Sequence, residues 1–147
     1  MLTTRDRYSS KGKTLPNILV LRHSAGYEHS YLPDCEITFK QLGAEHGWKV
    51  STTHRLDKVT AESLSQLDLL VFATTGNLDF SQEQKAAIIA FVNDGKGFLG
   101  VHNATDTGYD WPEYGAMIGG YFNGHPWHEQ VGILVEDTGH PATRMLG

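Results

Sequence analysis

The sequence predicts an α/β fold built on one mainly parallel sheet, and three observations predict it. Asn17-Ile18-Leu19-Val20-Leu21 and Leu67-Asp68-Leu69-Leu70-Val71-Phe72-Ala73 are nearly unbroken apolar runs, the mark of strands buried on both faces. Strand-like and helix-like segments alternate along the chain, as in strand-helix-strand units. Finally, Gly100 and Ala104 lie two residues either side of His102. Small residues at those offsets suit a sharp elbow at the carboxyl edge of a sheet, where larger side chains would clash as the chain doubles back.

The elements follow in order. The first strand, residues 17–21, ends in the polar loop Arg22-His23-Ser24-Ala25-Gly26. A helix over 34–46 puts Cys35, Phe39 and Leu42 on one face, with Gly47 suited to its C-cap. Residues 48–54 form a second strand, carrying Val50 and the β-branched Thr52 and Thr53. A short helix is expected over 60–66 and a third strand over 67–73. Ser81 and Gln84 have the spacing of a capping box. Ala87, Ile88, Phe91 and Val92 then recur at helical spacing, and Gly95 ends the helix. The fourth strand spans 98–102. Pro112 suits the first turn of a helix reaching residue 118, and residues 132–136 read as a fifth strand. Crossovers are expected to be right-handed.

At 147 residues the chain has room for one domain with a real core. Residues 1–16, polar and rich in Arg and Lys with no apolar stretch, read as a flexible leader rather than a secretory signal. A net charge of −5 argues against nucleic acid and anionic membranes as partners. No apolar run approaches the roughly 18 residues of a membrane span. The single Cys35 excludes an internal disulfide and fits a reducing, cytoplasmic setting. Cys35 falls within a helix and reads as a buried, inert thiol.

Ligands of parallel α/β sheets bind beyond the carboxyl ends of the strands. The loops there hold His23 and His29, then Thr74, Thr75 and Gly76, then His102 and Asp106; His125 follows a Gly-Gly-Tyr-Phe turn. Imidazole at the elbow is a metal ligand or an acid/base, not the usual nucleophile. His29, His102 and His125 with Asp106 have the donor chemistry of a zinc site. Their spacing contains no tight ligand pair, so each also reads as an ordinary structural histidine. His23 reads as a loop residue, and His46 and His54 as surface or strand-end residues. Tyr109 and Trp111 beside Asp106 and Asp110 suit a sugar, whose apolar face packs on a ring while carboxylates accept from its hydroxyls. Trp111 equally suits a packing anchor for the following helix. Thr75-Gly76-Asn77 could cradle an anion, which makes Thr75 a candidate substrate contact. No glycine-rich nucleotide motif is present.

Four segments, Gly26-Tyr27-Glu28-His29-Ser30, Gly97-Phe98-Leu99-Gly100-Val101-His102, Asp110-Trp111-Pro112-Glu113-Tyr114 and Gly119-Gly120-Tyr121-Phe122-Asn123-Gly124-His125-Pro126, together resemble the trehalose-utilisation (ThuA-like) family. The resemblance runs from Asn17 to the last residue. It implies the class I glutamine amidotransferase-like fold, a flavodoxin-like three-layer sandwich. It implies His in place of the amidotransferase cysteine, matched by His102. It places His29, His102 and His125 at the centre of a pocket, with Asp106 and Tyr109 beside it, and ties the chain to disaccharide and keto-sugar metabolism. Domains of this family continue past the equivalent of His140-Pro141-Ala142-Thr143. Residues 17–147 are therefore expected to be an incomplete domain, the alternative being a natural short form; truncation would leave a sheet edge or apolar face open and invite homo-oligomers.

The leading expectation is an enzyme acting on a sugar or keto-sugar. His29, His102 and His125 would hold zinc, with His102 and Asp106 catalytic and Tyr109, Trp111 and Thr75 on the substrate. Hydrolysis, isomerisation and lyase chemistry are all open. The alternative is a sugar-binding module or interaction domain that has lost the amidotransferase nucleophile. Glutaminase activity is excluded, because His102 cannot form the thioester that cysteine makes.

Overall fold

A computed structural model describes residues 15–127 and 129–146. Most of the expected leader, residues 1–14, lies outside the described residues, as does His128. Four strands form one sheet: β1 (Asn17–Ser24), β2 (Lys49–Thr53), β3 (Leu69–Thr75) and β4 (Gly97–Gly100). Their order is β2-β1-β3-β4 and every pairing is parallel. Helices flank the sheet, which gives the expected flavodoxin-like sandwich: α1 (Leu32–His46), α2 (Ala61–Ser65), α3 (Gln82–Asn93) and α4 (Pro112–Ile118).

The two apolar runs are the central strands, which is why they are apolar throughout. Side chains alternate across a strand, so each run feeds two cores. Leu19, Leu21, Leu70 and Phe72 join the core that holds Ile88, Phe91 and Tyr114. Ile18, Val20, Val71 and Ala73 join the core that holds Leu32 and Cys35 of α1. Gly43 lets α1 approach β2, because a Cβ there would sit 2.7 Å from Val50 Cγ2.

The capping box at the start of α3 is present. Gln84 N donates to Ser81 Oγ (3.2 Å) and Ser81 N donates to Gln84 Oε1 (3.0 Å), a cap that contributes about 1 kcal/mol. Thr60 and Ser63 make a second box at α2, which the sequence reading did not single out. Among the described residues no helix is long and apolar enough to cross a membrane.

Two expectations are corrected. β4 ends at Gly100 rather than residue 102, because His102 turns to φ 48° and opens a 3-10 turn, His102–Thr105. Residues 132–136 form no strand: no ladder pairs them, and Ile133 and Leu134 are each 84% exposed. Apolar, β-branched composition makes a strand only where a sheet edge accepts it.

Candidate functional site

The loops after β1, β3 and β4 are tied together by backbone. Ala25 N donates to Thr75 O (2.8 Å), Gly76 N to Asp106 O (2.7 Å) and Gly108 N to Gly76 O (3.1 Å). Gly76 is needed at this junction. Its φ is +75°, and a Cβ there would lie 2.6 Å from Gly26 N. Buried Thr107 adds a second tie, its hydroxyl donating to Thr74 O at 2.7 Å.

The elbow has the small-residue requirement expected of it. A Cβ on Gly100 would lie 2.9 Å from both Ala104 Cβ and Ile118 Cδ1. Among the described non-glycine residues, His102 alone has positive φ, a conformation that costs an L-residue about 1–2 kcal/mol. The turn is held below by Tyr114, fully buried, whose hydroxyl donates to Ala104 O at 2.7 Å.

A cleft of about 620 Å³ opens over this junction, lined by Tyr27, His29, His102, Asn103, Thr105, Asp106, Phe122 and His125. The sequence-predicted His29, His102, His125 and Asp106 are thus brought together. His29 and His102 meet edge to face, with ring centroids 4.7 Å apart, and Tyr31 meets His102 the same way at 5.1 Å. Asp106 Oδ1 accepts a 2.6 Å hydrogen bond from Tyr109, whose hydroxyl also lies 3.1 Å from Phe122 O. Burial first, then the Asp106 hydrogen bond and charge, push the Tyr109 hydroxyl up to about 12. Tyr109 therefore stays protonated at neutral pH and keeps Asp106 as acceptor. It supports the cleft by holding a lining residue.

Other predicted residues are placed elsewhere. Trp111 is 3% exposed, stacked on Tyr114 at 5.2 Å and edge-on to Phe80. It is the packing anchor, not a ring presented to a sugar. Thr75 is fully buried and donates to Tyr27 O at 2.8 Å, so it holds a cleft residue without lining the cleft. His23 Nδ1 bonds His54 O at 2.8 Å, outside the cleft. Cys35 is buried, and burial, then Glu36, push its thiol up, as an inert thiol requires.

The sequence profile of the family described as ThuA, trehalose utilisation, matches residues 17–147. The chain belongs to the ThuA family. A crystal structure of a ThuA-like protein from Bacteroides uniformis superposes with a TM-score of 0.71 at 20% identity, covering 93% of this chain. That likeness shows the fold. The chain spans 58% of that protein's length. No curated protein matches the chain.

In this ThuA-family cleft the donor chemistry is of a kind that suits zinc. Among the described residues, no three His, Cys, Asp or Glu side chains are gathered as an ion requires. The residues that sequence reasoning missed are Tyr27, Asn103, Thr105 and Phe122. Two of them lie in the family segments and are exposed rings, Tyr27 at 73% and Phe122 at 39%. Asn103 sits beside the elbow, 5% exposed. Its Oδ1 accepts from the Tyr31 hydroxyl, and its Nδ2 has no partner among the described residues. Burial, then Cys35, push Tyr31 up to about 12, so it remains the donor that orients this amide.

Proposed function

We propose that this chain takes a sugar of disaccharide or keto-sugar type into the cleft and acts on it by acid–base chemistry centred on His102 and Asp106. The observation that carries this reading is the His29–His102 pair. Two imidazoles meet at 4.7 Å on the wall of one cleft with Asp106. Neither ring has a hydrogen-bond partner among the described residues, so their nitrogens are free to take a proton from a substrate and return one. Membership in a family described by trehalose utilisation supports a sugar as substrate. Proton transfer by such a pair serves hydrolysis, isomerisation or lyase chemistry. Zinc is proposed on donor chemistry alone, and no step is routed through it.

The test is calorimetric titration with trehalose and with a glucoside carrying a ring carbonyl, followed by product analysis by NMR. Expected are saturable binding, slow conversion of one sugar, and loss of conversion in His102→Ala. Chelator-sensitive conversion, with zinc in the purified chain, would support the metal. Failure of both sugars to bind would overturn the reading.

A second reading has its own support. Tyr27 and Phe122 present exposed rings at the cleft, as a sugar-binding module needs. It predicts binding without conversion, indifferent to His102→Ala and weakened at least tenfold in Tyr27→Ala.

A further inference from the structure

The wall of the cleft formed by Phe122 and His125 belongs to a segment with no helix or strand among its described residues. Something other than secondary structure must place it. Phe122 N donates to Thr105 O at 2.9 Å, and Phe122 O lies 3.1 Å from the Tyr109 hydroxyl. The neighbouring Tyr121 makes the most specific contact. Its hydroxyl lies 2.9 Å from Gly108 O and 2.8 Å from Trp111 O, sharing one proton between two carbonyls just before α4. Its ring centroid lies 5.1 Å from that of Tyr109.

Tyr121 reaches those carbonyls because α4 has a notch. A Cβ on Gly115 would lie 2.5 Å from the Tyr121 hydroxyl oxygen, 2.6 Å from Cζ and 2.7 Å from Cε2. Real Cβ contacts do not come that close, so any side chain at Gly115 must displace the ring. Gly115 does not have positive φ and sits inside α4. Its backbone would accept alanine, which is the better helix former. The glycine is thus explained by the ring seated against it rather than by the helix it interrupts.

We propose that Tyr121, seated in the Gly115 notch, is the positioning residue that holds Phe122 and His125 over the cleft. Its functional meaning rests on the reading of that cleft as the ligand site. The placement itself can be tested without a ligand.

The experiment uses the full chain and two NMR readouts: hydrogen exchange at the Phe122 amide, and the imidazole resonances of His125. Gly115→Ala is expected to speed exchange at Phe122 at least tenfold and to shift His125. Amide exchange in β1 and β3 should be unchanged. Tyr121→Phe keeps the seated ring but loses the shared hydrogen bond, so a smaller change of several-fold is expected; this variant also keeps the test open should Gly115→Ala fold poorly. In a Tyr121→Ala background the notch is empty, and adding Gly115→Ala should change neither readout. Wild-type exchange and His125 shifts in both single variants would overturn the proposal. So would a Gly115→Ala effect of equal size with Tyr121 absent. Failure of the chain to bind either sugar would sink the proposed function while leaving these readouts to decide the placement.

Discussion

His102 combines chemistry and strain in one residue, and two substitutions separate them. Its φ of 48° is left-handed, which costs any L-residue about 1–2 kcal/mol. Glycine escapes that cost but loses roughly 0.5–1 kcal/mol more chain entropy on folding than alanine. At mid-range, the difference puts His102→Gly about 0.75 kcal/mol above His102→Ala in stability. Histidine shares the left-handed cost with alanine but keeps ring contacts to His29 and Tyr31 at 4.7 and 5.1 Å. Such pairs contribute about 0.5–1.5 kcal/mol when buried, and less here because His102 is exposed. The expected order is therefore wild type close to His102→Gly, with His102→Ala lowest. The assay is urea unfolding. With a slope of about 2 kcal/mol/M, the two variants should differ by roughly 0.25–0.5 M in midpoint at constant slope. Both should lose sugar conversion equally. If His102→Ala matched or exceeded His102→Gly, the backbone would not be held left-handed there, and the elbow reasoning would fall with it.

Two further outcomes follow from buried or bridging groups. Tyr114→Phe removes the donor to Ala104 O beneath the elbow, leaving a carbonyl without its protein partner. It should lower stability by about 1–3 kcal/mol by urea unfolding; a change within error would mean that another group satisfies Ala104. Glu36 ties α1 to two strands through Arg22 Nε at 2.5 Å and Thr52 at 3.0 Å, and it also bonds Lys40. The Lys40 hydrogen bond, with Thr52 and Arg22 and against the effect of burial, holds its carboxyl below the usual range. Its folded value lies below its unfolded value of about 4.3, so its contribution is full above that pH and is lost as pH falls through the folded value. Glu36→Gln should therefore be less stable than wild type at pH 7, and the gap should close below about pH 4. A gap unchanged at pH 2.5 would contradict the assignment.

The parts of this fold that are legible in sequence are those where one local rule decides. β1 and β3 announce themselves because burial on both faces leaves no polar position to confuse the period. α3 does so because Ser81 and Gln84 satisfy each other's backbone within four residues. The elbow does so because Gly100 and Ala104 must both be small. Where the outcome depends on a distant partner, the sequence is silent. Residues 132–136 have strand composition but pair with no strand, although β2 and β4 each have only one neighbour among the described residues. Trp111 has a ring fit for a sugar or a core, and only the position of Phe80 and Tyr114 around it decides for the core.

The candidate site follows the same division. Three loops carry its histidines, and no spacing rule could say that they meet. They meet because Gly76 lets the backbones after β1 and β3 approach within 2.6 Å of where a side chain would stand, and because Asp106 O accepts from its amide. A glycine with no chemistry of its own thus helps bring His29 and His102 into one cleft. Gly115 does the same for His125 through Tyr121. What the sequence displays as reactive residues is set in place by residues that look like gaps, so the strongest perturbations of this site should be the smallest ones, a single methyl group added at either glycine.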